Sequence, residues 1–117
     1  MVSEDYVRRS DDISIVNTFT KEYTGEQTDV AIITPSSGKK IEVFGILLHS
    51  SANAGYVELK FTTSNKLVAK LYCTRQSQIY NSRMKITGAA NEAITLNISG
   101  VNSGDTSFIL VNYKEVT

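Results

Sequence analysis

Residues able to do chemistry are sparse in this chain of 117 residues, and its single histidine illustrates this. His49 lies beside Ser50 and Ser51. A metal site typically needs three or four ligands, and Cys73, the only soft ligand elsewhere, stands at no recognisable spacing from it. A serine hydrolase would need His49 as its base, but no Gly-x-Ser-x-Gly motif is present. We therefore interpret His49 as a polar residue at a strand end and Cys73 as a buried structural thiol.

Paired carboxylates are the next candidates for catalysis. Glu42 and Glu58 would suit a glycosidase if they faced each other across adjacent strands. Lys40 and Lys60 flank them on the same strand faces, so surface ion pairs are the simpler interpretation. Residues 102–105 carry oxygen ligands but lack the spacing of a calcium-binding EF-hand loop, and we interpret them as a turn. The residues support no enzyme, and we expect no catalytic site, no cofactor and no metal.

Composition and charge bound the class of protein. Lysine plus arginine and aspartate plus glutamate number 12 each, so no net charge drives nucleic-acid binding. Arg75, Tyr80, Arg83 and Lys85 are too few for a surface that binds single strands. No apolar run approaches the roughly 20 residues that cross a bilayer, and the N-terminus lacks the apolar segment of a signal peptide. We expect neither a nucleic-acid nor a membrane partner.

Hydrophobic alternation predicts about eight short strands and no amphipathic helix. The predicted strands cover residues 13–19, 28–34, 40–50, 56–62, 66–73, 93–99 and 106–116, with a short strand near Ile79 in an otherwise irregular segment, 74–84. Residues 21–27 read as a polar loop. The alternation predicts a core that contains Leu59, Phe61, Leu71, Leu96 and Ile98. The pattern is typical of an all-β fold: a single-domain antiparallel β-sandwich of jelly-roll type over residues 13–117.

Two predicted strands, residues 41–48 and 107–113, are apolar on both faces. A small sandwich buries only one face of each strand, so the second face needs cover from an arm of the chain or from another subunit. We therefore expect a homo-oligomer. The candidate oligomer-interface residues are Ile41, Val43, Phe44, Ile46, Leu48, Phe108, Leu110 and Tyr113.

Two further segments are candidates for contact with a partner. Residues 1–12 are dense in mixed charge and predict a flexible N-terminal arm. Residues 74–84 predict a loop, and loops often carry function, with Tyr and Arg as common interface anchors. A solvated connector is the alternative interpretation of this loop. The candidate partner contacts are Tyr6, Val7 and Arg8 in the arm and Arg75, Tyr80 and Arg83 in the loop.

Residues 38–117 show a characteristic series of turns and strands. Its parts are the Gly38-Lys39-Lys40 turn that opens an apolar strand, the alternating strand 55–61, the loop and strand 88–99, and the C-terminal strand 111–116. In these parts the chain resembles the small jelly-roll virion proteins of tailed bacteriophages, which decorate or cement capsids or occur in tail and fibre assemblies. It departs from them at Asn91, where the family usually has glycine, and in residues 74–84. The resemblance implies a virion protein, commonly trimeric, that binds itself and the major capsid or another virion protein.

A carbohydrate-binding module is the alternative function. Jelly rolls include many lectins, and Tyr56, Tyr72 and Tyr80 suit stacking on sugar rings. The chain has no tryptophan, and the sequence shows no cluster of aromatic residues on one polar face. A sugar titration separates this alternative from a structural role.

Overall fold

The computed structural model describes residues 16–117, and this part of the chain forms nine β-strands and no helix. The strands are β1 (Asn17–Thr24), β2 (Gln27–Ile33), β3 (Lys40–Ser50), β4 (Tyr56–Phe61), β5 (Leu67–Tyr72), β6 (Ser77–Asn81), β7 (Ile86–Thr87), β8 (Ile94–Ser99) and β9 (Thr106–Val116). Within these residues no helix has the length and apolarity needed to cross a membrane. The predicted arm, with Tyr6, Val7 and Arg8, lies outside the described residues.

The strands form two antiparallel sheets. The first sheet has the order β1-β9-β3-β6, with β7 also paired to β3, and the second has the order β2-β8-β4-β5. The pairs β1 with β9, β2 with β8, β3 with β6 and β4 with β5 are nested, as in a long hairpin folded over into two sheets. This is the connectivity of an eight-stranded jelly roll, with the two-residue β7 added. The predicted all-β sandwich is confirmed.

The two strands that the sequence marks as apolar on both faces pair with each other. β3 and β9 share the longest ladder, which runs from Lys40 opposite Val116 to Ser50 opposite Ser107. β-Branched and aromatic residues fill both strands and favour extended backbone. A β-bulge at Phe44 and Gly45 interrupts the ladder: Val43 pairs with Tyr113, and Gly45, two residues later, pairs with Asn112. The expected proximity of these two strands is confirmed.

The core lies between the inner faces of the two sheets. All five predicted core residues are buried there: Leu59, Phe61 and Leu96 have no exposed surface, and Leu71 and Ile98 have almost none. Burial of one such side chain stabilises the fold by about 1.5–3 kcal/mol. The predicted buried thiol of Cys73 is also confirmed, since it packs in this core as a free cysteine.

β1 extends further than its sequence indicates. The segment predicted as a loop, residues 21–27, instead continues β1 to Thr24, turns at Gly25 and begins β2. Its polar residues are tolerated because β1 is an edge strand, and Tyr23 alone in this stretch reaches the core. Pairing with β9, which a local pattern does not reveal, decides where β1 ends.

Candidate functional site

The outer face of the first sheet carries a group of apolar side chains on its central strands. Leu47 of β3 pairs with Leu110 of β9 on one side and with Tyr80 of β6 on the other. The next row joins His49 to Phe108 and Gln78. We call this surface the apolar outer face and define it by Phe44, Leu47, Tyr80, Phe108 and Leu110. Tyr80 is 67% exposed and the other four are half-buried, without cover from the described part of the chain.

The structure divides the predicted interface residues between the two sides of this sheet. Phe44, Phe108 and Leu110 lie on the outer face. The other five point inward: Ile41, Val43, Ile46 and Leu48 are buried in the core, and Tyr113 packs against it. The four buried side chains are therefore not accessible to a second subunit, whereas Tyr113 is half-buried.

Sequence reasoning missed Leu47 because of the bulge. Val43 and Ile46 are both buried although three positions separate them, so strict alternation fails between them. The bulge at Phe44 and Gly45 inserts one extra residue, so the odd-numbered positions, which point inward before it, point outward after it. Leu47 therefore faces outward. Gly45 fits this place because a Cβ there would approach Asn112 Nδ2 at 3.2 Å.

The predicted recognition loop is partly a strand. β6 occupies its centre and forms an edge of the first sheet, so Tyr80 joins the apolar outer face. Arg75 and Arg83 are exposed on either side of β6. Turns hold both flanks: Ser77 Oγ accepts a hydrogen bond from the Thr74 amide at 2.8 Å, and Asn81 Oδ1 accepts one from the Arg83 amide at 2.9 Å.

The two candidate glycosidase carboxylates lie on different sheets. Glu42 of β3 pairs with Lys114 at 3.4 Å and with Lys85 at 3.9 Å on the first sheet. Glu58 of β4 pairs with Lys70 at 3.6 Å on the second. The ion-pair interpretation is confirmed, but the partners come from neighbouring segments and not from the same-strand lysines that the sequence suggested.

The remaining catalytic candidates do not converge. His49 faces outward from β3, whereas Cys73 and Ser50 face the core. Ser50 Oγ accepts a hydrogen bond from Ser107 Oγ at 3.1 Å inside the sandwich. Among residues 16–117, no three side chains of the types that bind metals lie close enough together to hold an ion. In the loop before β9, Asp105 Oδ2 accepts the Asn102 amide at 2.8 Å, which confirms a turn.

The outer face of the second sheet is polar and has an aromatic edge. Tyr56 and Tyr72 are cross-strand partners, and Lys70 Nζ lies 4.3 Å and 5.1 Å from their ring centroids. Tyr80 lies on the other sheet, so only two of the three tyrosines suggested for sugar stacking come together. Further along the same face is a groove of about 510 Å³, which we call the polar groove, lined by Asp29, Ala31, Lys60, Thr62, Asn65 and Thr95.

Glu92 is a buried carboxylate that joins two loops at one end of the sandwich through hydrogen bonds. It is 3% exposed and accepts hydrogen bonds from the amides of Thr63 (2.8 Å), Ser64 (2.5 Å) and Ala89 (2.9 Å). Burial raises the pKa of Glu92, but these amide hydrogen bonds outweigh burial and leave the pKa below its ordinary value. The carboxylate thus ties the β4–β5 turn to the loop before β8, a structural role for the Asn91-Glu92-Ala93 segment.

Comparison with known proteins finds the same fold in a viral capsid. No protein-family model and no curated protein sequence matches the chain. Among solved structures, the chain is similar to one in the acidic stable capsid structure of Helicobacter pylori bacteriophage KHP30, with a TM-score of 0.65 and 16% sequence identity. The match covers 89% of this chain and 94% of that one. At this identity the likeness establishes a shared fold, over nearly the full length of both chains.

Proposed function

We propose that this chain is a non-enzymatic structural protein of a bacteriophage virion, which decorates or cements the capsid. The observation that carries the proposal is the likeness in fold, over 89% of this chain, to a chain in a phage capsid structure. The resemblance of residues 38–117 to small virion proteins supports it from the sequence. Neither line depends on the other, because one compares backbone topology and the other compares residue pattern.

Self-association through the apolar outer face is the first part of the proposed mechanism. Half-buried Leu47, Phe108 and Leu110 lie on the central strands of the sheet, where residues 16–117 of one copy provide no cover. Removing this apolar surface from water stabilises an oligomer by about 25 cal/mol per Å² of apolar area, before the costs of association. A homotrimer is the oligomer we propose.

Attachment to the shell is the second part. Tyr6, Val7 and Arg8 in the N-terminal segment, with Arg75 and Arg83 beside β6, would contact the major capsid protein or another virion protein. The arginines provide bidentate donors to carboxylates, and Tyr6 and Val7 provide apolar contact. The mixed charges would steer the encounter more than they strengthen the complex.

Two measurements test the proposal. Light scattering of the purified full-length protein is expected to show a stable oligomer at micromolar concentration, and a stable monomer would contradict the self-association. Electron cryomicroscopy of virions purified from the source is expected to show density that fits this jelly roll on the capsid surface. Particles without the protein would contradict the virion role, and its presence only in the tail would contradict decoration of the capsid.

A further inference from the structure

The polar groove presents three side chains whose polar groups have no partner in the described part of the chain. They are the Asp29 carboxylate, the Lys60 ammonium and the Asn65 amide, and residues 16–117 contribute no ion pair or side-chain hydrogen bond to any of them. They come from β2, from β4 and from the turn after β4, and they line one groove. Such convergence leaves donors and acceptors free for a ligand, and the volume lies within the range of small-molecule sites.

The backbone around the groove is held in place. Asp29 has φ of 49° at a β-bulge, and its amide donates to Asn97 Oδ1 at 2.8 Å. Asn65 has φ of 59° in the tight turn between β4 and β5, and its amide donates to the Phe61 carbonyl at 3.0 Å. Asp and Asn are the residues that best tolerate this left-handed conformation, so the same residues set the backbone and present the polar groups. The backbone of the site is therefore preorganised, and only the side chains have to be ordered on binding.

The chemistry of the lining selects the class of ligand. Asp29 accepts, Lys60 donates and Asn65 does both, so the groove offers a mixed set with balanced charge. Ala31 and the buried Thr95 add a small, partly apolar floor. A ligand with many hydroxyl groups and one apolar face fits this set better than a charged ligand. The Asp29 carboxylate would repel a phosphate, and the Lys60 ammonium would repel a polycation. We propose that the polar groove is a binding site for a neutral saccharide.

The tyrosine edge extends the same surface. Lys60 and Tyr56 both point outward from β4, four residues apart, which corresponds to about 13 Å along the strand. Tyr72, opposite Tyr56, is 67% exposed, and its ring can stack on the C–H face of a sugar. The groove alone would hold one sugar unit, and a longer chain would reach the tyrosine pair. Oligosaccharides should therefore bind more tightly than monosaccharides.

NMR titration of the isotope-labelled full-length protein tests this site. The probes are glucose, galactose, mannose and N-acetylglucosamine, together with maltotriose and chitotriose. With at least one of these sugars we expect saturable shifts of the amides of Thr62, Asn65 and Thr95, with a dissociation constant in the millimolar range for a monosaccharide. Absence of saturable shifts with all six sugars overturns the proposal, as does saturation confined to residues outside the second sheet.

Variants distinguish the groove from the tyrosine edge. Asp29→Asn keeps the backbone preference while it removes the charge, and Lys60→Ala removes the ammonium; each is expected to weaken binding about tenfold. Tyr72→Ala should weaken trisaccharide binding and leave monosaccharide binding unchanged. Val16→Ala, at an exposed position next to the opposite sheet and outside the apolar outer face, is the control and should change neither. Unaltered affinity in both groove variants overturns the assignment.

Discussion

Leu47 of β3 and Leu110 of β9 face each other in the central ladder of the first sheet, with both side chains on its outer side. A β-bulge three residues before Leu47 sets this arrangement. The pair marks the centre of the apolar outer face, where a second subunit would add the most contact.

Replacement of Leu110 by aspartate tests that face. Leu110→Asp would place a charge at the centre of the proposed interface, so the protein is expected to become monomeric in sedimentation-velocity experiments. Folding of the single chain should change by about 1 kcal/mol or less, because only cross-strand contacts at the surface are lost. Leu67→Asp is the matched control, since Leu67 is an exposed leucine on the other sheet, and it should leave the oligomer intact. An oligomer that survives Leu110→Asp would place the interface elsewhere.

Glu92→Gln should weaken the fold at neutral pH by about 1–3 kcal/mol, because a neutral amide accepts the three backbone hydrogen bonds less well and brings donors of its own into a buried site. Urea denaturation at pH 7 measures this change. Glu26→Gln is the control, since Glu26 accepts a single amide hydrogen bond, from Gly100, at an exposed position.

The same residue predicts how stability depends on pH. The pKa of Glu92 is lowered on folding, so its contribution is complete above the pKa in the unfolded chain and is lost as pH falls through the folded-state pKa. The free energy of unfolding of the native protein should therefore fall more steeply in acid than that of Glu92→Gln. If the free energies of unfolding of the two proteins fell in parallel as the pH is lowered, Glu92 ionisation would not contribute to stability.

Gly88→Ala should destabilise the protein by about 1–3 kcal/mol through overpacking. An added Cβ would collide with the ring of Phe61, which is fully buried. Gly104→Ala is the matched control, because open space surrounds that position and its φ is not in the left-handed region. Thermal unfolding of both variants provides the comparison, and equal melting temperatures would contradict the tight contact.

Leu96→Ala should cost about 2–5 kcal/mol, because it opens a cavity at a position with no exposed surface. The urea midpoint should fall with little change in the denaturant slope. Val16→Ala, at an exposed position, should have a free energy of unfolding within about 0.5 kcal/mol of that of the native protein. A loss below about 1 kcal/mol for Leu96→Ala would mean that the core can close around the cavity.

Deletion of residues 2–12 tests the segment that the sequence predicts to be an arm. Its mixed charge and few apolar residues provide little for a core, so thermal stability of the isolated protein should be nearly unchanged. Attachment to capsids should weaken, because Tyr6, Val7 and Arg8 are lost, and co-sedimentation with particles measures this. Unfolding of the truncated protein would instead make this segment part of the sandwich, and full attachment would assign the contact to other residues.

Local pattern was sufficient for most of the fold. Alternation in β4 and β8 located the buried Leu59 and Leu96, because a strand has two faces and only one side of each sheet meets the core. Apolar content located β3 and β9 to the residue, and Pro35 marked the end of β2 because it lacks an N–H for the ladder. The buried Cys73 followed in the same way from its neighbours.

Tertiary structure alone decided which side chains of β3 face outward and which side chains from distant segments meet one another. The bulge in β3 reversed the alternation, so Val43 and Ile46 became core and Leu47 became surface. Glu42 and Glu58 separated onto different sheets, while Asp29 of β2 came to line one groove with Lys60 and Asn65 of the distant β4–β5 hairpin. Short-range periodicity reports the conformation of a strand, but long-range pairing sets its register and its neighbours, and in this fold most paired strands are distant in sequence.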